Sequence, residues 1–141
     1  MASEAKHAEV ARLGPDAIVP RAPEDLREAL RGERVTVVAD IVGGSGWPEL
    51  IDILERGGRY TCSGAIAGPI VRFDLRPFYL RDLTFTGSTV VPSHVLKDLV
   101  GYIERGEVRP VLAATWPLAE LREAQRAFID KRHVGNIVVV P

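Results

Sequence analysis

An α/β fold built on a parallel sheet is what this sequence predicts, and three observations predict it. Residues 35–42, VTVVADIV, form a β-branched and almost wholly apolar run bounded by turn signals, the pattern of a strand covered on both faces. Runs of this kind alternate along the chain with helical patterns of roughly ten residues, the spacing of strand–helix–strand units with helices on both faces of the sheet. Three successive strand ends are made of small residues: VGGSG at 42–46, SGAIAG at 63–68 and GST at 87–89.

The elements follow in order. Ser3 is placed to cap a helix running to about Leu13, with Gly14 just past its end. Ala17 to Val19 is a short apolar run and a candidate strand. Pro23 stands where a first helical position belongs, with Glu24 and Asp25 in the first turn; Leu26, Ala29 and Leu30 form one face and Gly32 stops the helix. After the run at 35–42, Trp47, Leu50, Ile51 and Leu54 fall at helical spacing, ending at Gly57-Gly58. Arg59 to Ser63 reads as the next strand. Leu83 and Phe85 alternate with Thr84 and Thr86 in another, which ends at Gly87. Past Pro92, the residues Val95, Leu96, Leu99, Val100 and Ile103 share a helical face, closed by Gly106. Val111 to Thr115 reads as a strand, Leu118 to Ile129 as a last amphipathic helix, and Ile137 to Val140 as a terminal strand.

Composition bounds the function. A chain of 141 residues buries roughly 70% of its extended surface and needs no covalent staples. A net charge of -1 and a pI near 6.3 argue against nucleic acid or an anionic membrane as partner. Cys62 is alone, so no disulfide forms within the chain, which fits a reducing, cytoplasmic setting. His7, His94 and His133 are far apart and assemble no zinc signature. No signal peptide and no bilayer-spanning run are read from the sequence.

In open α/β sheets ligands bind beyond the carboxyl ends of the strands. Small residues at those ends let a flat ligand lie against the backbone, where amides can bond to it. Glycines also simply make tight turns, and for any one loop the two readings stand level. Three loops on one edge shift the balance toward a site. Among acid–base candidates, Asp40 reads about twice as readily as a cap or turn residue than as a catalyst. Tyr60 and Tyr79 read as packing residues, and Cys62 as a small core residue.

The segments VVADIVGG at 37–44, RGGRYTCSGAIAGPIV at 56–71 and YLRDLTFTGST at 79–89, with GYIERGEVRPVLAATWPLAELREAQRAFIDKRHVGNIVVVP at 101–141, resemble the medium-chain dehydrogenases/reductases. That family contains zinc alcohol dehydrogenases and zinc-free quinone oxidoreductases. The resemblance covers nearly the whole chain and rests on the order and spacing of the segments. It implies an incomplete Rossmann-like, doubly wound parallel sheet that lacks its first two strands: residues 1–92 as a partial dinucleotide-binding domain, and 93–141 as helices and strands packing on it and on a catalytic domain outside this sequence.

The resemblance also implies a cofactor, NADP(H) with NAD(H) as the alternative. SEAK at 3–6 looks like the Ser-x-x-Lys of NADP-dependent members, which assigns Ser3 and Lys6 to the ribose 2′-phosphate. Arg21 takes a neighbouring place where some relatives carry Tyr, a departure that a bidentate guanidinium can fill. Val42 and Gly43 would flank the adenosine half. Ser63, Gly64, Ala65 and Ile66 would face the nicotinamide carboxamide, and Gly87, Ser88 and Thr89 would line the same pocket. Asn136 stands where the family often has Lys.

The Gly-rich turn that holds the pyrophosphate, GxGxxG, is missing. GGSG at 43–46 lacks the third glycine, and the resemblance assigns it to a later strand. Ligands for a catalytic zinc would likewise lie outside, so zinc is not expected on this chain.

The implied function is the C-terminal part of an oxidoreductase that moves hydride to or from a small-molecule carbonyl, alcohol or activated alkene, inactive by itself. The alternative is a non-catalytic remnant that binds a nucleotide or a partner subunit; an unrelated nucleotide or S-adenosylmethionine binder fits the tail poorly. Without the first two strands, the run at 35–42 becomes an unpaired edge. The expectation is an N-terminal partner segment, a homo-oligomer, or residues 17–19 moving across to cover that edge. Members of the family also dimerise through the strand matching 83–86.

Overall fold

The computed structural model describes residues 1–20 and 25–141. Arg21 and the proposed helix start at Pro23 lie outside the described residues. The chain divides into two compact units, Val19–Val91 and a second made of Ala2–Ile18 with Pro92–Pro141. The sequence reading takes 1–92 and 93–141 as its two parts.

In the Val19–Val91 unit, α1 (Leu26–Ala29) is capped by Asp25, whose carboxylate accepts the Glu28 N–H at 2.9 Å. It leads to β1 (Val35–Asp40), α2 (Trp47–Asp52), β2 (Leu54–Cys62), α3 (Leu75–Leu80) and β3 (Thr84–Gly87). The strands form a parallel sheet in the order β1-β2-β3. Val38, Tyr60 and Phe85 stand opposite one another and share a face. Against that face pack Trp47 and Ile51, one helical turn apart on α2, together with Leu54, Leu83, Phe73 and Phe78. The aromatic rings meet mostly edge to face, Trp47 on Phe73 at 4.9 Å and on Tyr60 at 5.6 Å, the geometry that ring quadrupoles favour. The carbonyls ending α2 are covered by Arg81, which donates to Ile51 and Leu54 oxygens at 3.0 and 2.8 Å.

Four expectations are corrected here. Ala17–Val19 forms no strand and pairs with neither sheet among the described residues; a strand without a partner leaves its backbone groups unmet. The second helix stops at Asp52, and β2 begins at Leu54 rather than Arg59. Gly57-Gly58 is a kink inside β2, not a helix end. Gly57 adopts φ +73°, and a Cβ on Gly58 would lie 2.8 Å from the Glu55 oxygen. The run at 35–40 is covered on one face only: Val38 and Asp40 are buried, while Val37 is 48% exposed. Finally, α3 has no counterpart in the sequence reading. Asp74 caps it by accepting the Arg76 N–H at 3.0 Å, and Pro77 sits in the first turn, where no backbone donor is required.

The second unit carries a 3₁₀ turn (Glu4–Lys6) running into α4 (Ser93–Glu104) only by way of the intervening unit in sequence; the turn itself continues as a short helix, His7–Ala11, which ends before Gly14 at φ +76°. After α4 come β4 (Leu112–Pro117), α5 (Leu121–Asp130) and β5 (Asn136–Val140), the strands pairing in parallel. Gly135, at φ +98°, brings the chain so close to Val111 that only glycine fits, and the Asn136 N–H donates to the Val111 oxygen at 2.8 Å. Within this unit, Ala124 is the one buried hydrophobic residue among those described.

Candidate functional site at the strand ends

The parallel register places Asp40, Cys62 and Gly87 side by side, so the chain leaves all three strands of the first unit at one edge. That register gathers Val42 and Gly43, Ser63 to Ile66, and Gly87 to Thr89. Ser3 and Lys6 belong to the other unit. There the Lys6 ammonium donates to the His133 carbonyl at 2.8 Å, and the Ser3 carbonyl accepts the Lys6 N–H at 2.9 Å.

The first two loops close on each other through their backbones. The Gly44 N–H donates to the Gly68 oxygen at 3.0 Å, and the Ala67 N–H donates to the Val42 oxygen at 2.8 Å. The Ser63 N–H reaches the Asp40 oxygen at 3.0 Å, while the Ser88 N–H ties the third loop to Cys62 at 2.9 Å. Side chains would prevent this approach. A Cβ on Gly44, which has φ +83°, would lie 2.9 Å from the Ala67 Cβ, and one on Gly64 would lie 2.9 Å from the Ile41 oxygen. The small residues therefore have a purpose inside the fold itself: they let one loop lie on the next. Gly44, Ala67 and Gly68 take part in this contact; the sequence reading includes them in the small-residue loops VGGSG and SGAIAG without giving them a role of their own.

Asp40 anchors the arrangement. It is 6% exposed. One carboxylate oxygen accepts the N–H groups of Val42 and Gly43 at 2.8 and 3.0 Å; the other accepts the Tyr60 hydroxyl at 2.8 Å and a longer bond from Gly43. Burial pushes the Asp40 pKa upward, but the Gly43 and Val42 N–H groups and the Tyr60 hydroxyl together outweigh it and hold the carboxyl below its ordinary value. Tyr60 is pushed the other way, by burial first and then by the neighbouring carboxylate. A carboxylate with both oxygens engaged and a lowered pKa is a poor general base. It acts here as a turn residue, the role its position at a strand end suggested.

The loops still offer donors. Among the described residues the N–H groups of Gly64, Ala65 and Ile66 find no protein acceptor, and Ile66 is 83% exposed. The side chains of Ser63, Ser88 and Thr89 are also exposed. Also among the described residues, no three His, Cys, Asp or Glu side chains are grouped to hold a metal ion, and no helix is long and apolar enough to cross a membrane. In the second unit, a cavity of about 500 Å³ between α5 and β5 is lined by apolar side chains such as Phe128, Ile137 and Val139, with Gln125 as its polar member.

Comparison with known proteins gives this geometry a family. Residues 13–139 match the family model described as zinc-binding dehydrogenase. The chain is 31% identical over 116 residues to acryloyl-coenzyme A reductase of Sulfurisphaera tokodaii, a match covering 81% of this chain and 34% of that protein. It superposes on the crystal structure of a provisionally assigned alcohol dehydrogenase from Sinorhizobium meliloti 1021 with a TM-score of 0.90 and 42% identity, over 99% of this chain and 40% of that one. A 2-octenoyl-CoA carboxylase reductase solved with NADP and 2-octenoyl-CoA is 25% identical with a TM-score of 0.87, over 99% of this chain and 36% of that one. The chain thus spans roughly a third of the length of the curated relative. With the family model matched over most of its length and the parallel sheet in agreement, the chain belongs to the zinc-binding dehydrogenases of the medium-chain dehydrogenase/reductase family.

Proposed function

We propose that this chain supplies the nicotinamide-facing part of the cofactor domain of an NADP(H)-dependent oxidoreductase that moves hydride to or from a carbonyl, an alcohol or an activated alkene. The observation that carries the reading is the run of backbone N–H donors at Gly64, Ala65 and Ile66 that find no protein acceptor among the described residues, on the same sheet edge as Gly87 to Thr89. Such donors suit the carboxamide oxygen of a nicotinamide. Val42 and Gly43 would lie along the adenosine half. The cofactor supplies the hydride chemistry; these residues bind and orient it.

The fit is partial. The sequence has no Gly-rich turn for the pyrophosphate, so most of the binding energy must come from a segment outside it. Its described residues do not fit a catalytic zinc, and no step is assigned to one. Asp40 is not assigned the proton-handling role, because both of its oxygens are occupied. Likeness to a 2-octenoyl-CoA carboxylase reductase solved with NADP favours NADP(H) over NAD(H), and likeness to acryloyl-CoA reductase favours an activated alkene, as in an α,β-unsaturated thioester, as the small-molecule substrate.

Titration of the isotopically labelled chain with NADPH and NADH, followed by amide NMR, tests the reading. Shifts confined to 42–43, 63–66 and 87–89, with NADPH binding at roughly millimolar Kd, are expected; silence at these amides overturns it. A second reading, a non-catalytic association remnant, draws on the helix α4, whose Leu96 is 62% exposed, and on the outer edges of β1 and β3, which pair with no further strand among the described residues. A silent titration, with no neighbouring reading frame encoding a GxGxxG turn, favours it.

A further inference from the structure

We propose that Asp40 is the positioning residue of this site, the group through which one buried carboxylate fixes both the 41–46 loop and the 63–68 loop that lies on it. The inference rests on the cofactor-binding reading for its ligand, but not for its geometry.

The path of the constraint can be followed atom by atom. Tyr60, buried on β2, holds one carboxylate oxygen through its hydroxyl at 2.8 Å. Thus anchored to the core, the carboxylate accepts the N–H groups of Val42 and Gly43. These bonds set the turn that places Gly44 and Val42 against the second loop, where the Gly44 N–H meets the Gly68 oxygen and the Val42 oxygen meets the Ala67 N–H. The main chain of Asp40 adds a direct tie, its oxygen accepting the Ser63 N–H. Gly64, Ala65 and Ile66 hang between these fixed points, at Ser63 and Ala67. A platform of backbone donors must be held in place before ligand arrives if it is to bind without an ordering cost. Here a side chain does that holding, and a charged acceptor makes stronger bonds to N–H groups than a neutral one.

Asp40→Ala, Asp40→Asn and Tyr60→Phe, each in the full chain, test this by amide hydrogen exchange read by NMR. In Asp40→Ala the amides of Val42 and Gly43 are expected to exchange roughly ten- to a hundredfold faster. The amides of Gly44 and Ala67, which do not touch the carboxylate, are expected to follow, while those of Ile51 and Tyr60 in the core keep their protection. Asp40→Asn retains an acceptor oxygen and restores part of the protection at all four loop amides. Tyr60→Phe frees one anchor and gives a smaller loss at the same amides. Should Asp40→Ala fail to fold, the two milder variants decide by the same contrast.

Acceleration spread equally over loops and core overturns the proposal, because it reports general destabilisation. Unchanged Gly44 and Ala67 also overturn it, because the two loops are then held independently. NADPH-induced shifts at Ser63 to Ile66, weakened about tenfold in Asp40→Ala and recovered in part by Asp40→Asn, would join the positioning to binding. If the unaltered chain shows no NADPH shifts, the cofactor reading falls, and the exchange contrast still decides for or against Asp40.

Discussion

The two units of this chain use similar residues to different ends. In Val19–Val91, helical and strand periodicity produces a core: Ile51 is 1% exposed and Leu54 2%, and the rings of Tyr60, Phe73 and Phe78 pack around Trp47 and Phe85. In the second unit, α4 and α5 keep equally regular apolar stripes, yet Ala124 is the single hydrophobic residue buried among those described, and Phe128 on α5 is 51% exposed. An apolar stripe stabilises a helix only when something covers it. The difference teaches that the better-packed core of this chain lies in the first unit, and that the second carries apolar helix faces that no described residue buries.

The largest expected effect follows directly. Ile51→Ala removes branched carbon from the best-packed position and should destabilise the chain by about 3 kcal/mol, counting the cavity left behind. Urea melts followed by Trp47 fluorescence measure it. A loss under about 1 kcal/mol would break the comparison, since the first unit would then be no better packed than the second.

How much of this was legible in the sequence depends on what each element needs. VTVVAD and TFTG announced strands because β-branched runs between turn residues have few other uses, and β1 and β3 fall there. The stripes of α4 and α5 were plain from their periodicity, although nothing in a period says whether the stripe is covered. The gathering of three small-residue loops followed from a parallel sheet, which delivers every strand end to one edge. Gly57-Gly58 misled because a glycine pair ends helices and kinks strands by the same backbone freedom. Residues 75–80 escaped because a six-residue helix containing Pro77 has too little pattern to detect. The Asp40 clamp was visible only as a plausible turn residue, because its partners depend on the path of a loop and on Tyr60, twenty residues away.

A smaller effect sharpens the comparison within the first unit. The pKa of Asp40 is lower folded than unfolded: burial acts to raise it, but three hydrogen-bond donors prevail. Its contribution to stability is therefore complete above the unfolded value of about 4 and is lost as pH falls through the lowered folded value. Between about pH 5 and pH 2 the urea midpoint of the unaltered chain should fall more steeply than that of Asp40→Asn, which has no carboxylate to protonate there. Asp74, pushed down to about 2 by Arg76, titrates identically in both proteins and cancels from the difference. Parallel curves would mean that the clamp adds nothing to stability and that its bonds only shape the loop.

The smallest effect on stability is expected where the sequence looks most core-like. Leu96 occupies the apolar stripe of α4 and is 62% exposed, so Leu96→Ser should change the unfolding free energy by no more than about 0.5 kcal/mol. The same substitution made in a covered stripe would cost several times that. A loss above about 2 kcal/mol would show that this chain covers α4 by itself in solution, and the contrast between its units would vanish. If stability holds and the mass measured by light scattering falls with the substitution, the stripe is a contact between copies of the chain. If stability and mass both hold, the stripe is neither covered by this chain nor a contact between its copies.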